Sequence, residues 1–227
     1  MWHGIGQSGK TYESTPDGRE GYMQIMSRRD WPVYIIDQPR RGRAGYTESK
    51  IKPEEVIPTI MRESSAFNAF RLGLWVPPAP AEFFPNIQFP KDPTTIDQFF
   101  RQQTPDTGEE PMTAEYRALM GETVADLFRM TGPGILITHS NSGQYGWEAA
   151  MAAPDLGKAV VAYEPGGLAF PEGLELPEVP WKAAGIDVAM APRRVPMEKF
   201  LELTKMPILI IYGDNIATEP SEVFNTD

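Results

Sequence analysis

The chain has 227 residues, no cysteine and a formal net charge of −10 at pH 7. This length is sufficient for a hydrophobic core without disulfides, and we expect one domain with insertions. The lack of cysteine excludes thiol nucleophiles and thiolate metal sites and is compatible with either redox environment. The negative charge argues against nucleic acid or an anionic membrane as partner, and no apolar run approaches the ~20 residues of a membrane-spanning helix.

The first residues have the pattern of a strand end that runs into a glycine loop. Met1 to His3 lead into residues 4–9, where three glycines in six positions allow positive φ angles and close approach of the backbone to a ligand. A flexible turn and a weak phosphate loop are alternatives, although Walker-type spacing is not met. The functional interpretation is an oxyanion loop in which the N–H of Ile5 faces the N–H of Asn141.

The next segment predicts a helix over 21–30 and a strand over 32–36 that ends at Asp37. A basic loop follows, and it contains Arg40, Arg41 and Arg43. We favour a solvated loop whose arginines pair with nearby carboxylates, and a clamp for an anionic substrate is the alternative.

Residues 51–112 lose regular alternation and combine prolines with aromatic side chains. A helix over 64–72 is compatible with the pattern. The aromatic residues that follow are Trp75, Phe83, Phe84, Phe89, Phe99 and Phe100. They predict either a cap over a cleft or a surface insertion that uses rings to attach itself. Residues 113–130 then have the apolar spacing of an amphipathic helix.

Residues 134–143 have the pattern of a nucleophile elbow, in which a strand turns directly into a helix with a serine at the corner. Apolar residues 135–138 predict a buried strand, and helical spacing continues to Pro154. The corner is Thr138-His139-Ser140-Asn141-Ser142, where small residues replace the usual glycines on both sides of Ser140. An ordinary strand–turn–helix connection is the alternative.

Two further apolar strands are predicted, and each ends in an acidic residue. Residues 159–163 end at Glu164, and residues 207–212 end near Asp214; between them lie a proline-rich excursion and a helix over 197–205. Apolar strands that alternate with helices predict an α/β fold with a mostly parallel sheet and helices on both faces. Ligands of such sheets bind beyond the carboxyl ends of the strands.

Short stretches along nearly the whole chain resemble the α/β-hydrolase superfamily, and within it the bacterial and fungal esterase group typified by Alcaligenes esterase 713. These stretches are His3–Gly4, 15–19, 36–38 with 41–43, 139–143, 161–166 and Tyr212–Asp214. The resemblance implies an α/β-hydrolase core at 1–50 and 113–227, with an irregular insertion at 167–200 and a cap at 51–112. The chain departs from the group at Ile5-Gly6, where a vicinal cysteine pair can occur.

The resemblance also implies a serine hydrolase that acts on a small apolar carboxylic ester through an acyl-serine intermediate, without cofactor or metal. Ser140 would be the nucleophile, the N–H groups of Ile5 and Asn141 would form the oxyanion hole, and Glu164 would be the acid. Asp214 is the alternative acid, and the non-catalytic alternatives are a surface carboxylate for Glu164 and a helix N-cap for Asp214. Homodimers are common in comparable enzymes.

The base is the component that the sequence does not supply in a recognisable place. The chain has two histidines. His3 precedes the glycine loop, and His139 is expected to point away from Ser140 by strand alternation. Because both ends look abrupt, we expect that the catalytic histidine follows Asp227 in a longer enzyme. The alternatives are a non-catalytic ligand-binding protein with this fold, or a lactonase or acyltransferase.

Overall fold

A computed structural model describes residues 1–44, 58, 61–106, 110, 113–176 and 193–216. Contacts divide the chain into two units, which are described separately. The first comprises Met1–Ile5 and Glu110–Tyr212, and the second comprises Gly6–Glu109 and Gly213–Asp227. Parts of the predicted cap (51–57, 59–60, 107–109 and 111–112) and of the predicted excursion (177–192) lie outside the described residues.

The second unit is built from short elements. Its helices and strands are α1 (Tyr22–Ser27), α2 (Glu63–Ala69), β1 (Gly73–Leu74), β2 (Glu82–Phe83) and α3 (Pro93–Arg101). Strands β1 and β2 pair antiparallel. Phe67, Leu72 and Phe99 are buried at the centre of an aromatic cluster that includes Trp75 and Phe100.

In this unit one predicted strand was wrong, and one helix was not predicted. Among the described residues, 32–36 form no ladder strand; Ile36 alone makes an isolated bridge, and Tyr34 is exposed. A strand exists only where a neighbour supplies the ladder hydrogen bonds, and apolar sequence alone does not provide one. The sequence analysis also missed α3, although its start has a clear local signal. Asp92 caps this helix by accepting from the N–H of Thr95 at 2.9 Å, and Pro93 follows it inside the first turn.

The first unit contains a parallel sheet flanked by helices. Its elements are α4 (Ala114–Thr131), β3 (Gly134–His139), α5 (Asn141–Ala152), β4 (Gly157–Tyr163), β5 (Ala169–Pro171), β6 (Arg193–Val195), α6 (Met197–Glu202) and β7 (Ile208–Ile211). Strands β3, β4 and β7 are parallel and adjacent in that order. Trp2 makes one parallel bridge to Thr138, so the chain start lies beside β3.

Burial in the sheet is uneven. Leu136 and Val160 are buried on neighbouring strands, and α5, which follows β3, is buried over most of its length. In contrast, three of the four residues of β7 are exposed, with 54% of Leu209 accessible. The expected cover of helices on both faces therefore does not extend to β7. The predicted parallel sheet is confirmed, and the predicted domain boundaries stay a prediction.

Within the predicted irregular insertion, residues 169–171 and 193–195 pair as the parallel strands β5 and β6. This pairing corrects the expectation of a wholly irregular segment for its described part. Three-residue strands carry too little periodicity to be recognised from sequence.

Candidate active site

Ser140 stands at a sharp bend between β3 and α5. Its φ of 52° and ψ of −120° lie in a region that residues with a side chain rarely adopt. Hydrogen bonds hold both sides of its backbone: its N–H donates to the carbonyl of Tyr163 at 2.9 Å, and its carbonyl accepts from Gly143 N–H at 2.8 Å. The side chain makes no capping bond to the helix that follows. The geometry is therefore that of a strand–serine–helix elbow.

Ser142 differs from Ser140 although only one residue separates them. Its side chain is fully buried, and its hydroxyl donates to the carbonyl of Trp2 at 2.8 Å while it accepts from the N–H of His139 at 3.0 Å. This hydroxyl therefore joins the helix start to the end of β3 and to the chain start. The structure thus distinguishes a structural serine from the one at the corner.

The position two residues before the corner is occupied by Thr138, which is fully buried. A Cβ placed on Gly146 would lie 2.7 Å from the Thr138 methyl carbon. Any side chain at position 146 would thus collide with Thr138. In the usual elbow, a glycine two residues before the serine leaves room for the helix that follows. Here Gly146 of α5 leaves room for the Thr138 side chain instead.

The glycine loop contacts this corner through Gly4. A Cβ placed on Gly4 would lie 3.0 Å from both Cβ of Ser140 and Nδ1 of His139. Gly4 is buried, and its carbonyl belongs to the same peptide as the N–H of Ile5. The ring of His3 is buried and its Nδ1 lies 2.8 Å from that carbonyl, which it can reach as a donor. In a trans peptide the C=O and N–H point in opposite directions, so His3 orients the N–H of Ile5.

Two histidine rings lie near this corner, and burial affects the charge of one. Desolvation lowers the pKa of His139, while the charge of Glu164 opposes this shift and His3 adds to it. His139 is therefore neutral at pH 7. Strand alternation predicted that His139 points away from Ser140, yet both groups flank Gly4. The direction of the His139 side chain relative to Ser140 stays a prediction.

Glu164 follows β4 directly and also has a positive φ, 48°. Its N–H donates to the carbonyl of Ile211 at 2.8 Å, which fixes the bend against β7. Two residues later, Gly166 N–H donates to the carbonyl of Ser140 at 2.8 Å, so the loop after β4 is tied to the corner. Burial raises the pKa of Tyr212, and the charge of Glu164 adds to this effect.

The side chain of Asn141 is held by two partners. Its Nδ2 donates to Oε1 of Glu110 at 2.8 Å, and its Oδ1 accepts from Nε2 of Gln144 at 2.6 Å. Tyr145 donates to the same Glu110 oxygen at 2.5 Å, and burial, followed by the Glu110 charge, raises the pKa of its phenol. The Asn141 side chain is thus fixed. Its backbone N–H, in the first helical turn, has no intrahelical acceptor.

Glu110 is a site residue that sequence reasoning missed. It lies in a proline-rich segment without periodicity, so no local signal identifies it. Ile5, Ser140, Asn141 and Glu164 all belong to the first unit, whereas Asp214 belongs to the second. There the carbonyl of Asp214 accepts from Nε of Arg71 at 2.8 Å.

The basic loop of the second unit pairs with carboxylates, as the favoured interpretation expected. Arg43 donates to Asp37 at 3.0 Å and lies 3.6 Å from Glu13, whereas Arg41 forms an ion pair with Asp106. However, Arg41 is buried rather than solvated. Asp37 also accepts from the backbone N–H of Gly9 and of Arg43, so the basic loop is joined to the last residue of the glycine loop.

No group of three or more His, Asp or Glu residues in the described ranges could hold a metal ion. No described helix is long and apolar enough to cross a membrane.

No family model matches the chain. The chain is 30% identical over 171 residues to the "Probable secreted lipase phiG" of Fungal sp. (strain ATCC 74256), which covers 74% of this chain and 44% of that protein. It superposes on the solved structure of "a Novel Bacterial Esterase" with a TM-score of 0.63 and 27% identity, over 94% of this chain and 59% of the other. The chain thus spans about half the length of these relatives.

Proposed function

We propose that this chain, which belongs to the α/β-hydrolase superfamily, carries the nucleophile of a serine enzyme that hydrolyses carboxylic esters. The single observation that carries the proposal is the conformation of Ser140. A residue with a side chain is held at a strained φ and ψ between a parallel strand and a helix, next to a glycine loop. Such strain persists only where the surrounding structure enforces it, and it concentrates at functional sites.

In the proposed reaction, Oγ of Ser140 attacks the carbonyl carbon of the ester while its proton passes to a general base. The carbonyl oxygen becomes an oxyanion that accepts hydrogen bonds from the N–H groups of Ile5 and Asn141. Collapse of this intermediate expels the alcohol and leaves an acyl-serine, which water then hydrolyses. His3 orients the Ile5 donor through the Gly4 carbonyl.

Glu164 is our proposal for the acid that orients and stabilises the base. Its support is the loop after β4, which a hydrogen bond ties to the Ser140 carbonyl. We do not assign the base to either histidine of this chain. His3 Nδ1 lies at the Gly4 carbonyl, and the His139 ring is packed against Gly4.

Labelling with a fluorophosphonate tests this proposal, because the reagent phosphonylates an activated serine and the adduct is located by mass spectrometry. Ser140→Ala should abolish the adduct, and the matched control Ser142→Ala should retain it, since the Ser142 hydroxyl is buried and bonded to the backbone. Added imidazole should accelerate labelling by supplying a base with a pKa near neutrality. Equal labelling of wild type and Ser140→Ala would refute the assignment.

The effect of added imidazole on the labelling rate also tests which group acts as the general base. If His139 served as the base, His139→Gln would abolish labelling and free imidazole would accelerate only that variant. If the base is neither histidine, imidazole accelerates wild type and His139→Gln alike. The second pattern is the one we expect.

A further inference from the structure

The side chain of Asn141 lies at the start of α5, directly after the corner serine. The N–H groups of the first helical turn have no acceptor within the helix. Asparagine side chains readily accept hydrogen bonds from such N–H groups, which is why asparagine is common at helix starts. A free Asn141 amide oxygen could therefore occupy an N–H that the proposed reaction needs for the oxyanion.

Glu110 and Gln144 hold the two ends of this amide. Nδ2 of Asn141 donates to Oε1 of Glu110 at 2.8 Å, and Oδ1 of Asn141 accepts from Nε2 of Gln144 at 2.6 Å. An ionised carboxylate only accepts hydrogen bonds, so the NH2 group of the amide faces Glu110 and the oxygen faces Gln144. The amide oxygen thus already has a donor in the folded chain.

Both partners of the amide are themselves held in place. Tyr145 donates its hydroxyl proton to the same Glu110 oxygen at 2.5 Å. The ring of Tyr145 is fully buried and stacked on Trp2, with ring centres 5.7 Å apart. Gln144 is also buried. The Asn141 amide therefore meets a fixed acceptor and a fixed donor rather than mobile surface side chains.

We propose that Glu110 and Gln144 are positioning residues that keep the Asn141 side chain from capping its own helix start, so that the Asn141 N–H stays available to the oxyanion. The inference rests on the proposed function, because it concerns an N–H of the proposed oxyanion hole. Each residue acts through the Asn141 amide rather than on the substrate.

The size of the effect follows from competition between the amide oxygen and the oxyanion for one N–H. The net free energy of such a hydrogen bond corresponds to an equilibrium preference of about two- to tenfold. Release of the Asn141 side chain should therefore slow phosphonylation of Ser140 by about two- to tenfold. Removal of an oxyanion donor outright costs ~10²–10³-fold, whereas here the N–H remains and is only partly occupied.

The test measures the rate of fluorophosphonate labelling of Ser140 in the full chain, at a fixed concentration of imidazole. Glu110→Ala removes the acceptor of the Asn141 amide, and Gln144→Met removes its donor at similar side-chain length. Each should slow labelling by about two- to tenfold. Glu110→Gln keeps an acceptor oxygen and should restore most of the rate. Tyr145→Phe is the matched control, since it removes the other hydrogen bond to Glu110 and leaves the amide held.

The same substitutions in an Asn141→Ala background separate positioning from a general effect on the fold. Without an amide to compete for the N–H, Glu110→Ala and Gln144→Met should lose their effect on the labelling rate. A slowing of the same size in both backgrounds would overturn the inference. Normal labelling of both single variants in the wild-type background would overturn it as well.

Hydrogen exchange of the Asn141 N–H, followed by NMR, reports the same contact without any reaction. This N–H should exchange about two- to tenfold more slowly in Glu110→Ala than in wild type, because the released amide oxygen protects it. Slower exchange without labelling of wild-type Ser140 would support the hold on the amide and refute the proposed function. Labelling of Ser140 with unchanged exchange in both variants would support the enzyme and refute the positioning role.

Discussion

The strain at Ser140 makes a quantitative prediction about two variants that both lack the hydroxyl, Ser140→Gly and Ser140→Ala. Alanine keeps the Cβ that makes a φ of 52° and ψ of −120° unfavourable, whereas glycine adopts such angles readily. The Ser140 side chain makes no capping bond, so neither substitution removes one. The difference between the variants therefore reports the backbone conformation itself.

The expected magnitude follows from two opposing terms. A residue held in a sparsely populated region of φ and ψ costs about 1–3 kcal/mol. Glycine loses more conformational entropy on folding, which costs about 0.5–1 kcal/mol relative to alanine. We therefore expect Ser140→Gly to be more stable than Ser140→Ala by roughly 1–2 kcal/mol. Each kcal/mol corresponds to about 2–4 °C in Tm for a chain of this size.

The same pair of substitutions at Ser142 is the matched control. Ser142 lies inside α5, where glycine is less favourable than alanine by about 1 kcal/mol. The order of stability should thus be reversed between the two positions, as measured by thermal unfolding followed by circular dichroism at one scan rate. If Ser140→Gly is equal to or less stable than Ser140→Ala, Ser140 is not strained and the elbow interpretation fails.

Three further predictions concern the residues around this corner and the basic loop. Ser142→Ala should lower the free energy of unfolding by about 1 kcal/mol relative to wild type, and chemical denaturation measures this loss. The substitution removes the hydroxyl bonds to the Trp2 carbonyl and the His139 N–H, which remain bonded to each other at 3.2 Å. Glu164→Gln should lower the pKa of His139 further, since the Glu164 charge raises it; an NMR titration that shows no change would contradict their electrostatic contact. Burial alone would raise the pKa of Asp37, but hydrogen bonds from backbone N–H groups and the neighbouring guanidinium lower it on balance. Because the pKa of Asp37 is lower in the folded state, its ionised carboxylate stabilises the fold above the unfolded pKa of about 3.9, and this stabilisation is lost as the pH falls through the folded pKa. Asp37→Asn should therefore lower the free energy of unfolding at pH 7, and by progressively less below pH 4.

The hydrophobic pattern of the sequence was sufficient to predict helices and strands whose formation depends mainly on their own residues. The apolar run before Ser140 predicted β3, and the helical spacing over 113–130 predicted α4, which begins one residue after Thr113. Within the described residues the apolar run over 32–36 forms no strand, because only Ile36 makes a bridge and a strand needs consecutive paired residues. Helix α3 was not predicted although Asp92-Pro93 is a recognisable start, because prolines and aromatic residues interrupt the apolar periodicity around it.

Ser140, Asn141, Glu164 and Ile5 were identified as candidates from their positions at strand ends and in the glycine loop, and their catalytic roles remain proposals. Glu110 could not be identified in this way. Its contact with Asn141 and Tyr145 is made between residues that are distant in sequence, and its own surroundings have no periodicity. The different environments of Ser140 and Ser142 were also not readable, because both are small polar residues in one short motif.

By itself, the sequence determined α4, β3, the serine corner, α5 and the apolar strands β4 and β7, because side-chain periodicity and turn chemistry act over a few neighbouring residues. Tertiary structure alone decided which atoms meet at that corner: the backbone of Gly4 against Ser140, the Ser142 hydroxyl on the carbonyl of Trp2, and Glu110 on Asn141. It also decided that most of β7 is exposed. These features depend on the packing of distant segments, and packing is a property of the folded chain rather than of any short stretch of it.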